Sequence, residues 1–152
     1  MPQLPPILKP IGDGAFSSNR SLSYIKLPKK LQKIGDGAFS ACNLKEITIP
    51  ASVTQLGYGA FANNSLLTYI TGEEGNTVYH DVDGVVHNHS NTELYAFPSG
   101  RELSSYTILS TVRNVMPNAF AGAYKLGKVI VPEGMTEIGD YAFAGCGAST
   151  YT

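Results

Sequence analysis

Charge is scarce in this chain. Charged residues make up 15%, and 11 Lys and Arg against 12 Asp and Glu leave a formal net charge of −1. No basic face of the kind that nucleic acid or an anionic membrane surface demands can be built from that balance. Long apolar runs are also missing, so no segment reaches the roughly 20 residues that cross a bilayer. The opening MPQLPPILKP lacks a charged stretch followed by an apolar one, so no secretory signal is expected within it. The first residues read as the tail of a repeat, and any signal is expected upstream of them. Chemistry-bearing motifs are equally thin. No Ser-His-Asp spacing, phosphate-cradling loop or paired-carboxylate cluster appears. Histidines number three and cysteines two.

Glycine and proline, by contrast, are plentiful, at 16 and 9. They fall at fixed places, which points to turns rather than disorder. The pattern IGDGAF stands at Ile11–Phe16 and again at Ile34–Phe39, with variants LGYGAF at Leu56–Phe61, VMPNAF at Val115–Phe120 and IGDYAF at Ile138–Phe143. Its phenylalanines are spaced 23 residues apart from Phe16 to Phe39, 22 to Phe61, and 23 again from Phe120 to Phe143. A period in the twenties is the mark of a solenoid, because one unit cannot bury its apolar face alone. The expected division is a partial repeat over 1–10, repeats over 11–33, 34–55 and 56–71, a modified stretch over 72–114, a repeat over 115–137 and a partial one over 138–152. The glycines repeat with the period, so they serve turns and not a nucleotide.

Each repeat divides in two. After its leucine the sequence alternates: Ile25 and Leu27, Ile47 and Ile49, Val129 and Val131 share one face. Period two with β-branched residues predicts a strand. Pro28, Pro50 and Pro132 end it, since proline donates nothing to a ladder. Stacked strands predict a parallel sheet. The IGDGAF half predicts a turn leading into a short helical or 3₁₀ piece, with the phenylalanine rings stacked one per rung. The fold class is therefore a β-rich α/β repeat solenoid.

These residues resemble the BspA-type, or Treponema pallidum-type, leucine-rich repeats. Ile34, Gly35, Ala38, Phe39, Cys42, Leu44, Ile47, Ile49 and Pro50 carry that family's pattern in full, and the second repeat is one residue shorter between Phe39 and Leu44. The resemblance implies a right-handed superhelix with the parallel sheet on its concave face and the helical turns opposite. It also implies a surface-exposed or secreted protein of bacteria or mucosal protists, used in adhesion and host contact.

Residues 72–104 break the pattern. Asp83-Gly84 is a hairpin signal between Tyr79-Val82 and Val85-Val86, and Leu94–Phe97 is a further short strand. The reading is a repeat whose Ala-Phe half is replaced by a β-hairpin, as similar inserts in the family imply. The insert holds His80, His87 and His89 beside Asp81 and Asp83. On one strand His87 and His89 would share a face, and imidazole with carboxylate suits a metal such as zinc. A polar, solvent-facing hairpin is the plainer account. Asp81 to Gly84 hints at a calcium loop but lacks the bidentate glutamate. Cys42 and Cys146 sit at one repeat position, about four rungs or ~19 Å apart. A disulfide needs Cα atoms within about 7 Å, so two free, buried thiols are expected, each bonded to a turn carbonyl.

The outward strand positions form the candidate surface: Tyr24, Lys26, Glu46, Thr48, Tyr69 and Thr71, then Ser105, Thr107, Lys128 and Ile130. A solenoid's extended face suits a protein partner, and tyrosines make good anchors at Tyr24 and Tyr69. The expected function is a non-enzymatic adhesion or protein-binding scaffold at the cell surface, its partners host matrix or surface proteins, with no cofactor. A spacer array that binds nothing, and a metal-binding hairpin at His80–His89, are the alternatives. Unpaired rungs at both ends also predict one of two things, a piece of a longer array or end-to-end self-association.

Overall fold

The computed structural model describes residues 10–148. The partial first repeat over 1–9, and the final residues 149–152, lie outside them. The described chain is a β-solenoid of short strands joined by turns. The strands are β1 Lys33–Ile34, β2 Glu46–Ile49, β3 Gln55–Leu56, β4 Tyr69–Gly72, β5 Tyr79–Val82, β6 Val85–Asn88, β7 Glu93–Ala96, β8 Tyr106–Thr107, β9 Asn114–Val115, β10 Val129–Ile130 and β11 Glu137–Ile138.

The expected helical segments are absent among the described residues, and the reason is local. Each turn holds two left-handed residues four positions apart: Gly37 at φ 61° and Ala41 at φ 56°, with Gly59 and Asn63, then Asn118 and Gly122, in the same places. A left-handed residue cannot continue a right-handed helix. The N–H groups divide their donations accordingly. Ala38 and Ser40 bond within the turn, to Gly35 and Gly37. Gly37, Phe39 and Ala41 bond outward, to the carbonyls of Tyr58, Ala60 and Ala62 one coil on. The turns thus join the coils as a sheet would. Asp13 and Asp36 extend this, each accepting the N–H of the matching residue in the next coil at 2.8 and 2.9 Å. The approach is tight enough that a Cβ at Gly57 would lie 2.2 Å from the carbonyl carbon of Gly35. That contact explains the second position of the IGDGAF pattern.

The parallel sheet is real but divided. β2 pairs with β4 and β8 with β10, each parallel. A second parallel ladder, not anticipated from the sequence, runs through the residues that open each repeat. It joins β1 to β3, and β7 to β9 to β11. Along β2 the burial alternates outside and inside, with Ile47 and Ile49 in the core. The phenylalanines form two short columns inside the coils. Phe16 stacks on Phe39 at 5.2 Å and Phe39 on Phe61 at 6.0 Å. Phe97 stacks on Phe120 at 5.1 Å, and Phe120 on Phe143 at 4.9 Å.

Phe97 corrects the reading of the insert. Its N–H bonds to the carbonyl of Ala119, as Phe39 bonds to Ala60, and Leu94 pairs with Val115 in register. The insert therefore keeps the Ala-Phe half, in a form two residues shorter. The hairpin is added ahead of it: β5 and β6 pair antiparallel, with Asp83 and Gly84 left-handed at φ 50° and 81°.

Candidate functional site

The strands and the residues beside them carry the candidates as two groups; the strand expected around Ile25 and Leu27 is reduced to a single bridge at Lys26, so Tyr24 and Lys26 lie on no strand. In the first, Glu46 stands directly opposite Tyr69 and Thr48 opposite Thr71. Tyr24, Lys26, Glu46, Thr48 and Tyr69 are exposed, while Thr71 is half-buried. Tyr24 and Lys26 also join Glu46 and Thr48 along a cleft of about 310 Å³ between the first two coils. In the second group Thr107 stands opposite Ile130, with Ser105 and Lys128 one step before them. Ser105 and Thr107 are exposed, and Lys128 and Ile130 are half-buried.

The hairpin turn separates the groups. It bonds to the far side of β4: Ile70 N–H donates to the Gly84 carbonyl at 3.2 Å, and Gly72 N–H to Asp81 Oδ1 at 2.7 Å. The other Asp81 oxygen accepts the Gly84 N–H at 3.0 Å. Both carboxylate oxygens thus serve the backbone, which accounts for the Asp-x-Asp-Gly string without calcium. Tyr69 lies against this turn, and the Asp81 carboxylate pushes its phenol pKa up. Arg101, which the sequence did not bring forward, lies over the Tyr69 ring at 5.5 Å and donates from Nε to the Thr68 carbonyl at 3.0 Å.

The histidines do not share a face. His87 is fully buried, and His89 is exposed beyond the end of β6. His80 bonds through Nε2 to Asn91 and has the His89 ring 5.9 Å away. Among the described residues no three His, Cys, Asp or Glu converge on a metal position. His87 Nδ1 lies 2.9 Å from the Val85 carbonyl, so that nitrogen carries the proton, and Nε2 is buried with no partner among the described residues. Burial pushes its pKa below the ordinary 6.5. The unfolded chain then takes up a proton on acidification that the folded chain refuses, so stability is full above about pH 6.5 and falls below it. The melting temperature of the native protein is expected to drop between pH 7.5 and 5.5. In His87→Phe that drop should shrink, and an unchanged profile would show that His87 is not its source.

Both cysteines are free. Cys42 is buried and its Sγ lies 3.1 Å from the Phe16 carbonyl. Burial pushes the thiol pKa up, which leaves it a poor nucleophile. Cys146 departs from expectation, being only half-buried.

A sequence model described as the BspA type leucine rich repeat region matches in six copies, over residues 2–81 and 87–152. No curated protein matches. Among solved structures, the pneumococcal vaccine antigen PcpA is 33% identical with a TM-score of 0.88, over 94% of this chain and 36% of that one. A leucine rich cell surface protein of Faecalibacterium prausnitzii is 30% identical with a TM-score of 0.88, over 98% of this chain and 40% of the other. A leucine-rich repeat protein of Eubacterium ventriosum shares the fold at 24% identity and a TM-score of 0.76. The chain thus spans less than half the length of each, from 36% to 47%. The turn-borne Ala-Phe columns, the strands after Leu44, Leu67 and Leu126 and these matches agree: the chain belongs to the BspA-type leucine-rich repeat family.

Proposed function

We propose that this chain is a non-enzymatic, protein-binding segment of a bacterial cell-surface protein, and that it binds through the exposed face of its strands, taken as the concave side of the solenoid. The observation that carries this reading is the pairing in register of outward polar and aromatic residues on β2 and β4, flanked by Tyr24. Tyr24 and Tyr69 are 37% and 38% exposed although each belongs to an ordered coil. Tyrosine held on an ordered coil offers contact area and a hydroxyl while surrendering little entropy. Surface exposure of the protein is supported by the F. prausnitzii neighbour, itself described as a cell surface protein. Adhesion to host or matrix proteins follows from the family resemblance.

Binding to a panel of purified host matrix proteins, read by biolayer interferometry, tests this. At least one saturable interaction is expected, weakened about tenfold or more by Tyr24→Ala or Tyr69→Ala, the loss that an interface anchor causes. Binding that ignores both substitutions would move the site off this face. Absence of any binding would leave the chain a spacer.

A further inference from the structure

We propose that the hairpin insert builds a receptor for a single carboxylate on this face, with Arg101 as its anchor and an acidic side chain of the protein partner as its ligand. The proposal rests on the protein-binding reading above and adds a residue and a chemistry to it.

Arg101 is held on three sides. Its Nε donates to the Thr68 carbonyl at 3.0 Å, and its guanidinium lies over the rings of Tyr69 at 5.5 Å and Phe97 at 6.0 Å. Gly84 lies close against it, since a Cβ there would come 2.4 Å from Nη2 and 2.7 Å from the Tyr69 ring. The left-handed turn and its glycine therefore leave a seat for this side chain. Gly100 fixes the approach of the chain, its N–H bonded to the Leu67 carbonyl at 2.7 Å. Despite this bracing, Arg101 forms no ion pair among the described residues. Asp81 is close to Tyr69 but spends both oxygens on backbone N–H groups.

An ordered, unpaired guanidinium is suited to a carboxylate. Much of its side-chain entropy is already lost, and it is weakly hydrated and presents donors in a planar fork. The surroundings narrow the ligand. Asp83 stands exposed at the hairpin tip, next to the Gly84 that packs against Arg101. A polyanion would be repelled there, whereas one carboxylate among neutral or basic neighbours would not. Tyr69 and Tyr106 flank the position with phenols that stay protonated at neutral pH. Tyr106 is pushed up to about 12 by burial.

The test is an NMR titration of the native chain with two capped tetrapeptides, Gly-Glu-Gly-Lys and Gly-Gln-Gly-Lys, following the Arg101 Nε–Hε signal. The glutamate peptide is expected to shift that signal in a saturable, salt-sensitive way, and the glutamine peptide to leave it in place. Arg101→Gln should abolish the accompanying shifts at Tyr69 and Tyr106, and Arg101→Lys should weaken them several-fold. No shift with the glutamate peptide, or equal shifts with both, overturns the proposal. Loss of the carboxylate site while a matrix protein still binds in a Tyr24-dependent way would sink this inference alone. A carboxylate site without any protein partner would sink the binding reading and leave the receptor.

Discussion

Replacing Phe39 by alanine is expected to lower the free energy of unfolding by about 3–5 kcal/mol, the usual loss for a buried phenylalanine. The ring is fully buried and meets a parallel phenyl ring on either side, Phe16 at 5.2 Å and Phe61 at 6.0 Å. Truncation removes both stacking contacts and leaves a void that neighbouring coils cannot close. They are pinned at a fixed spacing by turn bonds such as Phe39 N–H to the Ala60 carbonyl at 2.8 Å. In a chain of this size each kcal/mol moves the melting temperature by about 2–4 °C, so a fall of roughly 6–20 °C is expected. Phe120, equally buried and stacked on both sides, should behave alike. Phe16 is half-buried and has one ring neighbour among the described residues, Phe39, so Phe16→Ala should cost clearly less. Urea unfolding of the three variants would expose the gradient. Equal losses at Phe16 and Phe39 would mean that stability does not follow position in the column.

The column and the strand after each leucine were legible because both are written as periods. Phe39 to Phe61 is one rung, and Ile47 with Ile49 is one face. What failed were features whose partners lie in another coil. IGDGAFS looks helical because alanine and phenylalanine sit beside a turn, yet its N–H groups at Gly37, Phe39 and Ala41 find carbonyls 21 residues ahead. No local propensity reports that choice. The ladder through Lys33–Ile34 and Gln55–Leu56 has only two residues per strand, too few to show alternation. The Ala96-Phe97 pair could have been found, since Phe97 lies 23 residues before Phe120. It was hidden by its closeness to Leu94, three residues instead of the usual five. On the candidate face, the matching of Glu46 with Tyr69 follows from the repeat alone. Arg101 does not, because it reaches Tyr69 only through the folding of the insert. The same insert splits the face into two groups, which no repeat position could announce.

Asn64 shows how far a single polar side chain can matter in such a stack. It occupies the position that Cys42 fills one coil earlier, and it is fully buried. Its Nδ2 donates to the carbonyls of Phe39 and Phe61, both at 2.9 Å, and its Oδ1 accepts the Leu44 N–H at 3.1 Å. Three backbone groups from two coils thus depend on one amide. Asn64→Leu keeps the shape and removes all three partners. Each buried group left unpaired costs about 1–3 kcal/mol, so a loss of about 3 kcal/mol or more is expected in urea unfolding. Asn64→Cys is the informative companion. A thiol at this position already reaches the carbonyl of the phenylalanine one coil earlier, as Cys42 does with Phe16. It can replace a donor but offers Leu44 only a weak acceptor, so its cost should fall between the native protein and Asn64→Leu. The insert feels the same residue, because Ser99 Oγ accepts the Asn64 N–H at 2.8 Å and donates to its carbonyl at 2.9 Å. Contacting residues couple, so Ser99→Ala combined with Asn64→Leu should cost less than the two losses added. Strict additivity would separate the insert from the third coil, and native stability in Asn64→Leu would show that the amide is dispensable to the stack.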